Sequence, residues 1–238
     1  MSTFTANPAG DSYVQRSETY SGRGAATWEE VAANSTGTLV NTSAAYIYVT
    51  GTKRTSNTNW ILNRGLLYFD LSSMPADANI VSAHISFYVN TYIVNDPRGY
   101  WMRGYLWTGS TGSGLDDYND WDENYITSEE KEIDSTGAHD FTIDNTLLGW
   151  LQDNPQGDAS NNFPIMIRNK YDYDATLLAD PTDINAVLFR SQNYASSGDR
   201  PVLNIIYNQL SAVNGVAKAS IAAVNGVTKE DGTKVNSY

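Results

Sequence analysis

The stretch Val81-Ser-Ala-His-Ile-Ser-Phe-Tyr-Val89 alternates apolar and polar side chains at every step. Val81, Ala83, Ile85, Phe87 and Val89 point one way. Ser82, His84, Ser86 and Tyr88 point the other. This period of two marks a strand with one face in a core. Just upstream, Arg64-Gly-Leu-Leu-Tyr-Phe-Asp-Leu71 is nearly continuously apolar, which suits a central strand covered on both faces. Shorter runs precede it at 12–15, 38–41 and 45–49. Others follow at 100–107, 140–143, 163–167, 186–190 and 202–207. Many short strands separated by Gly, Asn, Asp and Pro clusters predict an all-β fold, a jelly-roll β-sandwich of two antiparallel sheets.

Helix signals are few. Thr27-Trp-Glu-Glu30 matches a capping box and leads into Val31-Ala-Ala. Asn145-Thr-Leu-Leu-Gly-Trp-Leu151 places Leu147, Trp150 and Leu151 on one side of a short helix, suited to plugging a sandwich edge. Loops are expected over 109–130 and 152–162. After Tyr207 the composition changes. Val213-Asn-Gly-Val216 recurs as Val224-Asn-Gly-Val227, and Asn-Gly is a strong two-residue hairpin signal. The chain therefore divides into an N-terminal arm (1–10), a sandwich domain (11–208) and a C-terminal repeat tail (209–238).

The 238 residues are ample for a self-supporting core. Cysteine is absent, which excludes disulfides, zinc thiolates and cysteine nucleophiles. With 15 Lys and Arg against 27 Asp and Glu, the net charge of −12 disfavours a nucleic-acid partner. No apolar run is long enough to insert in a membrane. The opening Met-Ser-Thr-Phe-Thr-Ala-Asn-Pro has neither the basic nor the apolar region of a signal peptide.

Several blocks resemble one known family. Leu66-Leu-Tyr-Phe-Asp-Leu-Ser-Ser-Met-Pro75 followed by Ala78-Asn-Ile-Val-Ser-Ala-His-Ile-Ser-Phe-Tyr-Val89 is similar to the central block of the DNRLRE family. Asp140-Phe-Thr-Ile-Asp144 with Leu148-Gly-Trp-Leu151, Phe163-Pro-Ile-Met-Ile167, Val187-Leu-Phe-Arg-Ser191 and Asp199-Arg-Pro-Val-Leu-Asn-Ile-Ile-Tyr207 follow in the family's order, so the resemblance spans 11–208. It implies a jelly roll of the kind found in disaggregatase-related and polysaccharide-binding proteins. The Val-Asn-Gly-Val repeat resembles tails of phage structural proteins.

No motif marks a catalytic centre. His84 sits on the outward side of its strand, His139 is expected in a loop, and neither has metal-ligand spacing. Asp116-Asp-Tyr-Asn-Asp-Trp-Asp-Glu123 is the densest oxygen-rich run. Asp116, Asp117, Asn119, Asp120 and Asp122 could ligate calcium, and no other cofactor is required. Aromatic residues are the stronger clue. Sugar C–H faces stack on rings while polar neighbours fix orientation. Tyr100-Trp-Met-Arg-Gly-Tyr-Leu-Trp107 sets Trp101, Arg103, Tyr105 and Trp107 on one strand face and Tyr100, Met102 and Leu106 on the other. Tyr118, Trp121, Tyr125, Tyr171, Tyr173 and Tyr194 add loop rings. Trp60, Trp150 and Tyr207 are read as core.

Together these features point to a non-catalytic structural protein of an extracellular particle: a phage virion surface, decoration or fibre protein with a carbohydrate-binding-type jelly roll. Its partners would be other particle proteins, its own copies or a surface polysaccharide. The alternatives are a secreted carbohydrate-binding module and, last, a polysaccharide lyase or hydrolase.

Overall fold

The computed structural model describes residues 1–19, 26–54, 59–95, 99–109, 114–127, 130–174 and 184–209, and four residue pairs of the tail. In chain order the elements are β1 (Ser2–Ala6), β2 (Pro8–Thr19), α1 (Trp28–Ala32), β3 (Leu39–Asn41), β4 (Tyr46–Arg54), β5 (Asn59–Asp70) and β6 (Ala78–Val94). There follow β7 (Tyr100–Trp107), β8 (Trp121–Ile126), β9 (Lys131–Ile133), β10 (Gly137–Ile143), α2 (Asn145–Asp153), β11 (Asn162–Asn169), α3 (Lys170–Tyr173), β12 (Ile184–Arg190) and β13 (Val202–Gln209). Short 3-10 turns lie at Asp116–Asn119 and Ser197–Asp199.

The protein is an all-β sandwich. One layer runs β1-β13-β6-β10. The other runs β3-β2-β5-β11-β7, with β8 and β9 side by side along the outer edge of β7. All pairings are antiparallel. β12 and β4 join the layers: β12 pairs with the second half of β6 and with β4, and β4 pairs with the first half of β5. The expected two sheets are thus one hydrogen-bonded network of 13 strands. β4 leaves β5 after the Thr50–Asn63 pair and crosses over its face. A Cβ on Gly65 would lie 2.9 Å from Ile47 Cγ2 and 3.0 Å from Val49 Cγ2, so glycine permits this crossing. Where β10 lies over β7, a Cβ on Gly104 would lie 2.7 Å from Phe141 Cε1.

The core follows the alternation read from the sequence. Ala83, Ile85, Phe87 and Val89 are buried, as are Leu66, Leu67, Phe69 and Leu71 of the continuous apolar run. Each fully buried large side chain stabilises by about 1.5–3 kcal/mol. Val81 departs from its expected inward face and is 42% exposed. The cause is a β-bulge: Ile206 pairs with Ser82 and Tyr207 with Ile80, which leaves Val81 as the extra residue and turns Ile80 inward.

The helices form where their signals lie. Thr27 Oγ1 accepts from Glu30 N at 3.2 Å, and Glu30 Oε2 accepts from Thr27 N at 2.7 Å, completing the capping box. The box fixes Trp28 fully inside, where its Nε1 donates to Tyr171 O at 2.7 Å. α2 buries Leu147 and Leu151, packs Trp150 against Phe163 and reaches β6 through Gln152 Nε2 to Ile80 O, 3.1 Å. It therefore bridges the layers at their edge. Trp60 is buried as read, whereas Trp150 and Tyr207 are only half-buried against the core.

Three expectations change. Residues 1–10, read as an arm, lie on the sandwich: Ser2–Ala6 pairs with β13, Ser2 opposite Tyr207, and β2 begins at Pro8. The stretch 109–130 contains β8 and a 3-10 turn as well as loops. His139 lies on the edge strand β10, its Nε2 3.0 Å from the carbonyl oxygen of Ser135. In the tail, Ala212–Val213 pairs with Val216–Ala217, and Ala223–Val224 with Val227–Thr228. These are the two hairpin ladders that the repeat predicts. Their Asn-Gly turns lie outside the described residues, as does most of the rest of 210–238.

Candidate functional site, an arginine row among aromatic rings

The outer face of β5, β11 and β7 carries three arginines in line. Arg168 on β11 pairs directly with Arg103 on β7. Gly65 on β5 pairs with Ile167, so one further step of that register sets Arg64 beside Arg168. Like charges side by side on a sheet repel, so the row needs anions. α3 supplies one immediately after β11. Asn169 Oδ1 accepts from Asp172 N at 3.1 Å, which caps this single turn and fixes Asp172 above the strands.

The Asp172 carboxylate takes both neighbouring guanidinium forks. Arg64 Nε and Nη2 donate to it at 2.8 and 2.7 Å, and Arg168 Nε and Nη2 at 2.8 and 2.9 Å. Arg64 uses its remaining donors on Ala32 O at 2.7 Å, on Tyr118 O and, at 3.4 Å, on Asn119 Oδ1. One side chain thus ties α1, the 116–119 turn and α3 to β5. Burial alone would raise the Asp172 carboxyl, but Arg168 and Arg64 outweigh it and hold it well below the usual carboxylate range. Burial would likewise lower Arg168, yet Asp172 raises it above its ordinary value.

Rings close over the cations. The Arg64 Cζ lies 3.9 Å from the Tyr118 ring centre and 4.6 Å from that of Trp121. The Arg168 Cζ lies 4.0 Å from Trp121 and 5.0 Å from Tyr105, and the Arg103 Cζ 4.8 Å from Tyr173. Tyr105 packs at 6.3 Å from Trp121 and 6.4 Å from Tyr173. Glu130 anchors the outer end of the row, accepting from Lys170 Nζ at 2.9 Å and Arg103 Nη2 at 3.4 Å. Burial would raise Glu130, but Lys170 pulls it below its ordinary value. Burial and the Glu130 charge both push the Tyr173 hydroxyl up.

Exposure rises along the row. The arginine side chains are 0%, 8% and 24% accessible for Arg64, Arg168 and Arg103, and Lys170 beside them reaches 40%. Among the described residues of the row, the parts open to another molecule are the Arg103 end, with Tyr173, Glu130 and Lys170, and the half-buried Trp121 ring above Arg64 and Arg168.

The rings read from the sequence divide accordingly. Trp121, Tyr125, Tyr173, Trp101 and Arg103 are half-buried and remain candidates. Tyr100, Tyr105, Trp107, Tyr118 and Tyr171 are buried, so they are core rings and not contact surfaces. Their hydroxyls confirm it: Tyr100 Oη donates to Val49 O, Tyr118 Oη to Val31 O at 3.0 Å and Tyr171 Oη to Gly99 O at 2.9 Å. Tyr171 and Tyr173 stand on α3 instead of the expected loop. Arg64, Arg168, Asp172, Glu130 and Lys170 were not singled out from sequence. The only local trace was charge at the ends of two apolar strands.

The acidic run is largely spent on its own loop. Asp117 is buried and accepts from Gly114 N. Asn119 Oδ1 faces Arg64. Asp122 Oδ1 accepts from Asn124 N and Nδ2 at 2.9 and 2.8 Å. Asp116 is exposed and Asp120 half-buried. Among the described residues no three His, Asp or Glu side chains converge as metal donors. Among the same residues no helix is long and apolar enough to cross a membrane.

Fold and site define an all-β sandwich with a cation–ring cluster on one outer face. No protein family's sequence profile matches the chain, and no curated protein matches it.

Proposed function

We propose that this protein is a non-catalytic structural component of an extracellular particle, such as a virion surface, and that it touches saccharide through the accessible rings and cations of the arginine row. One observation carries the saccharide reading. The half-exposed Trp121 ring rests on two guanidinium groups whose own positions Asp172 fixes. A ring held this way is ready to stack on a sugar without an ordering cost. Arg103, Lys170 and Tyr173, at the accessible end of the row, would orient hydroxyl groups. The non-catalytic reading rests on the carboxylates: Asp172 is buried and saturated by two forks, and Glu130 is held ionised by Lys170 and Arg103. Neither suits a proton donor. The resemblance to polysaccharide-binding jelly rolls points the same way.

The particle reading draws on the tail. Its two hairpins are paired only within themselves among the described residues. Two-stranded hairpins are marginal alone, so a neighbouring surface would steady them. A secreted binding module would use the same patch without that partner.

A glycan array with the full chain tests the saccharide contact. Binding should fall at least about tenfold in Trp121→Ala, and clearly in Arg103→Ala, each measured at a temperature where circular dichroism shows the variant still folded. Capture of no glycan, or capture indifferent to both substitutions, would remove the saccharide reading. Stoichiometric co-purification with a particle separates the component from the free module.

A further inference from the structure

We propose that β1 is a homotypic docking edge, where two copies of the chain join antiparallel and run the β1-β13-β6-β10 layer through both. This stands apart from the saccharide reading and uses none of its residues. An open edge is normally blunted by shortness, charge or a bulge. β3 and β9 have only three residues each, and β9 carries Lys131 and Glu132. β8 carries Asp122 and Glu123 and pairs irregularly with β7. β10 carries Asp140. β1, Ser2-Thr3-Phe4-Thr5-Ala6, has no charge, proline or irregular pairing, and among the described residues it pairs only with β13.

Its sequence selects a second copy as the occupant. A two-fold axis through Phe4 sets Thr3 opposite Thr5 of the other copy, Ser2 opposite Ala6, and Phe4 opposite Phe4. Thr–Thr pairs are favourable across antiparallel strands, and Thr3 and Thr5 are both exposed. Phe4 is only partly covered by its own core, and its counterpart would complete that cover. The chain carries −12 overall, so an uncharged edge is where two copies can meet without placing carboxylates face to face. A five-residue ladder buries roughly a few hundred Å², well short of an autonomous interface. The contact is weak between free molecules and gains strength where copies are already held close.

Sedimentation equilibrium of the full chain, from micromolar to near-millimolar, tests this. The expected result is a monomer–dimer equilibrium. It should weaken at least about tenfold in Thr3→Lys/Thr5→Lys, because two like pairs then face each other. Thr3→Asp/Thr5→Asp should behave alike, and an equal mixture of the two variants should regain the dimer. As a check free of substitutions, amides of residues 2–6 in the unaltered chain should exchange more slowly as concentration rises. A monomer at every concentration, or a dimer indifferent to both variants, would overturn the inference. So would a dimer that forms only after removal of residues 210–238, since the chain's own tail would then be the occupant.

Discussion

Arg64 shows how one side chain can organise a neighbourhood. Its charge is fully buried, and its donors reach three separate segments. Removing it leaves Asp172 with a single fork and frees two backbone carbonyls in a dry site. Arg64→Met is therefore expected to cost about 3–5 kcal/mol in denaturant unfolding. A loss under about 1 kcal/mol would show that the cluster is incidental to the fold. Asp11 poses the opposite case. Burial pushes its carboxyl up to about 6, although Gln192 N donates to it and Arg200 attracts it. A raised carboxyl favours folding while protonated. Its contribution is complete below the ordinary value near 3.8 and is lost as pH rises through 6. The change is on the order of 3 kcal/mol. Asp11→Asn keeps an oxygen for Gln192 N and should flatten this slope, leaving the variant more stable than the parent at pH 7 but not at pH 4. Urea midpoints across that range decide it. None of this was legible in the sequence, because the partners of Arg64 and Asp11 lie far along the chain and only the fold brings them near.

At the scale of elements, the sequence was informative wherever burial obeys a simple period. The β6 alternation, the continuous β5 run, the α1 capping box and the Asn-Gly ladders all stand where their residues put them. Failures came where a second strand sets the phase. Val81 belongs to a perfect alternation, yet a bulge dictated by the β13 register turns it outward. Truncations should report the difference: Val81→Ala within about 0.5 kcal/mol of the parent, and Ile85→Ala costing about 2–5 kcal/mol. Comparable losses at both sites would show that the bulge is absent in solution. On β7 the alternation matches the structure for Arg103, Tyr105 and Trp107, which share one face. What lies above that face could not be read, because Tyr68, Trp121 and α3 arrive from elsewhere in the chain and cover Tyr105 and Trp107.

At the scale of the molecule, the continuous network makes the sandwich one cooperative unit. β4 and β12 belong to both layers, so neither layer can open without disturbing the other. The tail ladders stand outside that network. Removing residues 210–238 should leave the thermal midpoint of the sandwich within a degree or two, on the order expected for an independent segment. A large drop would mean that the tail is part of the core. Length and the absence of cysteine bear on this scale, through a core large enough to stand alone and no disulfide to hold it. They were silent on how the ends of the chain are arranged.

That arrangement has a mechanical consequence. The strand entering at Ser2 and the strand leaving at Gln209 are neighbours, with Ser2 opposite Tyr207. Tension between the two ends would draw β1 sideways from β13 and part the ladder rung by rung, so the load falls on one hydrogen bond at a time. Under pull the molecule would yield first at this seam, paying out a short tether while the remaining strands hold their shape.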